Sequence, residues 1–163
     1  MPGSPAIDAG VAVPGVTTDQ RGFPRSRGRA PDIGAFEAQP PPTVVSLRLP
    51  DGHSQPMTLV LTFSQPMDEV SAQSLANYSL VGIRSAKSKA RQIGQPIPIR
   101  SATYDEAAWT VMLKLAQRLS SRSTYRLTVI GTTLVGLTDG AGVFLDGAGT
   151  GQPGSDYVAI INR

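Results

Sequence analysis

Cysteine is absent from the chain, histidine and tryptophan occur once each, and no apolar run is long. Without cysteine there is no disulfide framework, no thiolate metal centre and no thiol nucleophile. With His53 alone, only one side chain is available as a neutral-pH base for a serine. The first 30 residues hold no basic n-region followed by an apolar stretch, and no segment approaches the roughly 18 apolar residues of a membrane span. No membrane insertion is therefore expected, and if the protein is exported its signal peptide is expected upstream. Charge is also sparse, at 17% of residues. What the chain has instead is 17 glycines and 14 prolines among 163 residues. That composition favours short strands joined by turns over long helices, in one domain of ordinary size with an appendage.

Residues 1–38 show no sustained period of 2 or 3.6, and they run into "AQPPPT", where three prolines impose an extended spacer over 39–43. Beyond it alternation begins. "TVVSLRL" places Val45, Leu47 and Leu49 on one face, and "MTLVLTF" does the same with Met57, Leu59, Leu61 and Phe63. A turn at Gln65-Pro66, a short helix near Val70–Leu75 and a strand through Tyr78 and Leu80 follow. Residues 84–96 read as a loop or ragged hairpin, and 97–105 as a strand demoted to a sheet edge by Pro96 and Pro98. "WTVMLKL" points Trp109, Val111, Leu113 and Leu115 inward, which makes Trp109 a core residue and not a sugar-stacking platform. "STYRLTV" and "DYVAIIN" complete about seven strands in residues 44–163. The pattern predicts an all-β, antiparallel β-sandwich with an irregular N-terminal extension.

Formal charge is +3. The excess sits at Arg84, Lys87, Lys89, Arg91 and Arg100, whereas Arg21, Arg25, Arg27 and Arg29 are balanced by Asp8, Asp19, Asp32 and Glu37. The basic stretch has no interleaved aromatics for base stacking, so nucleic acid is not expected as a partner. It suits an anionic polysaccharide better, with Tyr104 as an exposed aromatic contact.

The chemistry-bearing residues are few. His53 and Ser54 adjoin in "PDGHSQP", but neighbours at a turn point apart and no G-x-S-x-G elbow exists. Asp68/Glu69 and Asp105/Glu106 are the acidic pairs available for glycoside hydrolysis, which needs two carboxyls about 5–10 Å apart. Sequence neighbours do not converge that way, so Asp68 is read as a helix N-cap and "YDEAA" as a hairpin turn. Asp139, Asp146 and Asp156 in a Gly-rich stretch are candidate calcium ligands, yet Ala148 and Thr150 stand where further acids would be wanted. No other cofactor is implied. Lys114 and Asn77 are the residue types of an isopeptide crosslink, against which the outward phase of Lys114 counts.

The order "LVLTFSQPMD", "SLANYSL", "WTVMLKL", "STYRLTV", "GLTDGAGVFLDG" over residues 44–145 resembles the Ig-like domains of bacterial surface and S-layer proteins. "SPAIDAG", "TDQRGFPR" and "DIGAFE" within residues 3–37 resemble the segment that ends parallel β-helix proteins of the bacterial surface. The resemblance implies an exported, multidomain surface protein at the cell surface or outside it. Its Ig-like sandwich would be a non-catalytic structural or adhesive module, with a carbohydrate-binding accessory domain or a small glycoside hydrolase as alternatives. It further implies that Ile7, Phe23, Ile33 and Phe36 lie against preceding coils, and that residues 1–38 are the least anchored part of the fold unless they pack on something. A polysaccharide or another cell-surface protein is the implied partner, and the edge strands near Pro98 and at 156–162 are available to a second copy.

Overall fold

The computed structural model describes residues 4–25, 30–50, 58–83, 93–119, 123–132 and 134–162. The chain divides into two compact units, Met1–Pro40 and Pro41–Arg163.

The second unit is an antiparallel sandwich of two four-stranded sheets. Its elements are β1 (Val44–Arg48), β2 (Thr58–Phe63), α1 (Glu69–Gln73), a 3-10 turn (Leu75–Asn77), β3 (Tyr78–Ile83), β4 (Ile93–Pro96), β5 (Ile99–Asp105), β6 (Thr110–Leu115), β7 (Thr124–Val129) and β8 (Tyr157–Asn162). One sheet runs β1-β2-β6-β5 and the other β4-β3-β7-β8. Alternation sets the faces, because successive side chains of a strand point to opposite sides. Leu59, Leu61 and Phe63 of β2, Val111, Leu113 and Leu115 of β6, and Tyr125, Leu127 and Val129 of β7 are all buried in one core. Each such fully buried aliphatic or Phe side chain is worth about 1.5–3 kcal/mol against exposure.

Two sequence expectations change. The phase of β1 is interrupted: its pairing with β2 slips between Val44 and Ser46. The extra residue, Val45, is 64% exposed, and Val44 packs against the core with Leu47 and Leu49. A one-residue bulge reverses which side chains face inward. Trp109 is not in the core. It precedes β6, has φ 52° and is 40% exposed, so the inward series begins at Val111. Its place in the turn after Asp105 takes it out of the strand's alternation. Of the loop or ragged hairpin expected over residues 84–96, residues 93–96 are described and form β4, which pairs antiparallel with β3. The chain then changes sheets across Pro96–Pro98, where missing ladder donors cost nothing. The edge position expected for residues 97–105 is observed for β5.

The helix follows its signals. Asp68 is the N-cap of α1 and accepts from the Ser71 N–H at 2.8 Å. The Tyr78 hydroxyl donates to the Ala72 carbonyl at 2.6 Å and ties the helix to the start of β3. Burial pushes that hydroxyl's pKa up.

The first unit has no helix or strand among its described residues, only a bridge between Thr18 and Pro24. Of its described apolar residues only Pro31 is buried; the other buried residues are Asp19, Asp32 and Glu37. Asp19 accepts from the backbone N–H groups of Arg21 (2.8 Å), Phe23 (3.1 Å) and Glu37 (3.2 Å), and from the Arg21 guanidinium at 2.6 Å. Asp32 accepts from the Asp8 and Ala38 N–H groups, and Glu37 accepts from the Asp32 N–H. Three of the four acids that balanced the arginines in the sequence, Asp19, Asp32 and Glu37, are thus the hubs of a backbone network.

Candidate functional site

The acidic pairs are used locally and separately. Asp68 caps α1, and Glu69 accepts from Gln73 one turn along at 2.9 Å. The Asp105 carboxylate accepts from the N–H groups of Ala107 (3.0 Å) and Ala108 (3.3 Å), closing the β5–β6 hairpin that carries exposed Glu106 at its tip. Tyr104 is half-buried against the core, not an open platform, and its hydroxyl oxygen accepts from the Met67 N–H at 2.8 Å. Burial raises its pKa; the Met67 hydrogen bond opposes this, and the Glu106 and Asp105 charges add to it.

The three aspartates considered for calcium lie in the long connection between β7 and β8, and each accepts protein donors. Asp139 takes the Ala141 and Val143 N–H groups on one oxygen, both at 2.9 Å, and the Gln65 amide on the other at 2.8 Å. Asp156 accepts from Gly131 and Thr132. Asp146 takes the Thr150 N–H (3.0 Å), the Gly151 N–H (2.6 Å) and the Ser155 hydroxyl (3.2 Å). Burial opposes charge on Asp146, but these donors outweigh it and lower its pKa. Among the described residues no group of three His, Cys, Asp or Glu side chains is placed to hold a metal ion.

The Gly-rich spacing has a packing reason. A Cβ on Gly147 would collide with the backbone of Asp156 and Tyr157. The connection therefore folds tightly on the start of β8 and leaves no room for a side chain there.

Arg84, Lys87, Lys89 and Arg91 lie outside the described residues, as do His53 and Ser54. Arg100 is described and exposed on β5. Lys114 is exposed, whereas Asn77 is buried with its amide donating to the Ser71 carbonyl, so the two are not brought together for a crosslink.

Sequence periodicity missed two surfaces. One is the β5–β6 hairpin tip, where Trp109 stands at a positive φ that bulky residues rarely adopt. The other is the outer face of β8, where Val158 and Ile160 are each 53% exposed. The signal for the second was present: "VAII" alternates without a single polar residue.

An aspartate-stapled connection, acidic pairs committed to a cap and a turn, and a two-sheet core describe a framework. Residues 38–148 match the family model of the bacterial Ig-like domain. The chain belongs to that family. The bacterial Ig-like chain superposes on surface layer protein SbsC, domains 1–6, with a TM-score of 0.50 at 20% identity over 75% of its length. It also matches the S-layer protein rSbsC(31-844), with a TM-score of 0.49 at 20% identity over 75% of its length. In each case it spans 14% of the longer chain. No curated protein sequence matches it.

Proposed function

We propose that this bacterial Ig-like domain is a non-catalytic structural module of a larger exported surface protein, holding neighbouring parts apart. The observation that carries this reading is how its acids are used. Asp68, Asp105, Asp139, Asp146 and Asp156 each accept backbone N–H groups that a turn or cap would otherwise leave unpaired. Carboxylates committed in this way are poor general acids, bases or metal ligands. Residues 4–40 extend the reading. Ile33 (62%), Phe36 (54%), Val11, Val13 and Val16 are each exposed, as suits a segment that closes the last coils of a preceding β-helix. Antibodies raised against residues 41–163 should label intact cells of the source organism. Labelling only after permeabilisation would overturn the surface assignment, and turnover on a glycoside panel abolished by Asp68→Asn or Asp105→Asn would overturn the non-catalytic one.

A second reading, a polysaccharide contact, is favoured by Trp109 alone, the chain's one indole, exposed at a hairpin tip. Titration of its fluorescence with anionic and neutral polysaccharides tests this reading; no change at saturating polymer removes it.

A further inference from the structure

A sandwich of two open sheets has four edges, and each presents unpaired backbone groups that another strand can join. Here the edges are β1 and β5 of one sheet and β4 and β8 of the other. Three of them are defended by the devices that natural sheets use against such pairing. On β1 the ladder slips at Val45, and on β5 it slips at Arg100, which is exposed and charged and two residues after Pro98. β4 has four residues, ends in Pro96 and slips against β3. In every case the extra residue lies on the edge strand itself, where a bulge twists the edge away from a straight partner.

β8 has none of these devices. Its six residues pair one-to-one with β7 from Val129↔Tyr157 to Thr124↔Asn162, without a slip. Its sequence, Tyr-Val-Ala-Ile-Ile-Asn, has no charge, proline or glycine. Among the described residues nothing pairs with its outer edge. Val158 and Ile160 are exposed on one face, while Tyr157 and Ile161 turn inward.

We propose that β8 is the docking strand of a homodimer, in which two copies join antiparallel about a two-fold axis at Ala159. The choice of a second copy follows from the strand's own register. An antiparallel pair centred on Ala159 sets Val158 of one copy opposite Ile160 of the other, on both sides of the axis. On the inner face it sets Tyr157 opposite Ile161. Every directly opposed pair from 157 to 161 is then apolar, Asn162 stands opposite Asp156 at either end, no like charges meet, and isologous symmetry is satisfied. Two four-stranded sheets become one of eight strands, with both free β8 edges removed. Because one strand pair buries little area, the dimer is weak and dissociates on dilution.

Sedimentation velocity of the whole chain from about 1 µM to 1 mM tests the proposal, with circular dichroism confirming that each variant stays folded. The wild-type chain should pass from monomer to dimer. Ile160→Lys should weaken association at least tenfold, and Val158→Lys combined with Ile160→Lys should abolish it by placing lysine against lysine. Val158→Glu combined with Ile160→Lys should restore it, because the two-fold register sets each glutamate opposite a lysine. The matched substitution Thr103→Lys, on the exposed face of β5, should change nothing. A monomer throughout, as expected if the edge instead accepts a different protein, overturns the proposal. So does a dimer that survives the double lysine variant, or a Glu/Lys pair that fails to rescue.

Discussion

The two units of this chain reach order by opposite means. In residues 41–163 the interior is aliphatic and aromatic, and polar side chains serve the turns at its ends. In residues 4–40 Pro31 is the only described apolar residue that is buried, and three buried carboxylates take the place of a core. A short segment cannot withdraw enough apolar surface from water to offset its conformational entropy. It can instead collect backbone donors around a few acceptors, and Asp19 alone gathers three N–H groups and a guanidinium. Arg21 adds to this by lying over the Phe36 ring at 4.8 Å and the Phe23 ring at 5.3 Å. One unit should therefore fail by cavities and the other by protons.

The sharpest break of that contrast is Leu113→Ala in the fully buried middle of β6. It should cost about 2–5 kcal/mol in denaturant unfolding of the sandwich, while amide exchange at Arg21, Phe23 and Glu37 is unaltered. Next is Asp32→Ala, which strands the Asp8 and Ala38 N–H groups. It should loosen the first unit by about 1–3 kcal/mol, read as proteolysis within residues 4–40, and leave the thermal midpoint of the sandwich in place.

Acid should reproduce the second result without a mutation. Burial alone would raise the pKa of Asp19, but the Arg21 guanidinium and the Glu37, Arg21 and Phe23 N–H groups hold it well below 3.8. A carboxyl depressed in the folded state contributes stability above its unfolded pKa and loses it as pH falls through the folded value. Proteolysis of residues 4–40 should thus increase from about pH 4 downward. The sandwich, where Asp146 is depressed in the same direction but a core persists, should unfold only at lower pH.

Smaller again is Trp109→Gly. A core tryptophan would cost about 3–5 kcal/mol. At φ 52° and 40% exposure, relief of the left-handed backbone offsets lost contacts, and the expected change is within about 1 kcal/mol. The smallest effect is expected from EDTA, which should leave the melting temperature unchanged; a downward shift would assign a cation to the β7–β8 connection.

Much of this architecture was legible in the residues. Leu59, Leu61 and Phe63, or Val111, Leu113 and Leu115, can only be buried together if their segments are strands, and Asp68 three residues before Ser71 is a cap signal that needs no tertiary context. The misplacements share one cause. Val45 and Trp109 obey the alternation on paper, but a bulge and a hairpin turn each break the phase by a backbone step that side-chain pattern does not encode. The role of Asp19, Asp32 and Glu37 was hidden for a different reason. Their donors come from up to 24 positions away, so composition shows only a balance of charge.

Alternating apolar residues, turn-forming glycines and prolines, and the absence of cysteine were enough to determine an antiparallel sandwich without disulfides. These are local properties, because each strand's period is set by its own backbone. Tertiary structure alone decided which acids hold loops together, that Trp109 faces water, and that, among the described residues, β8 of the four sheet edges is the one both straight and uncharged. Those outcomes depend on which segments meet and in what register, and no single segment carries that information.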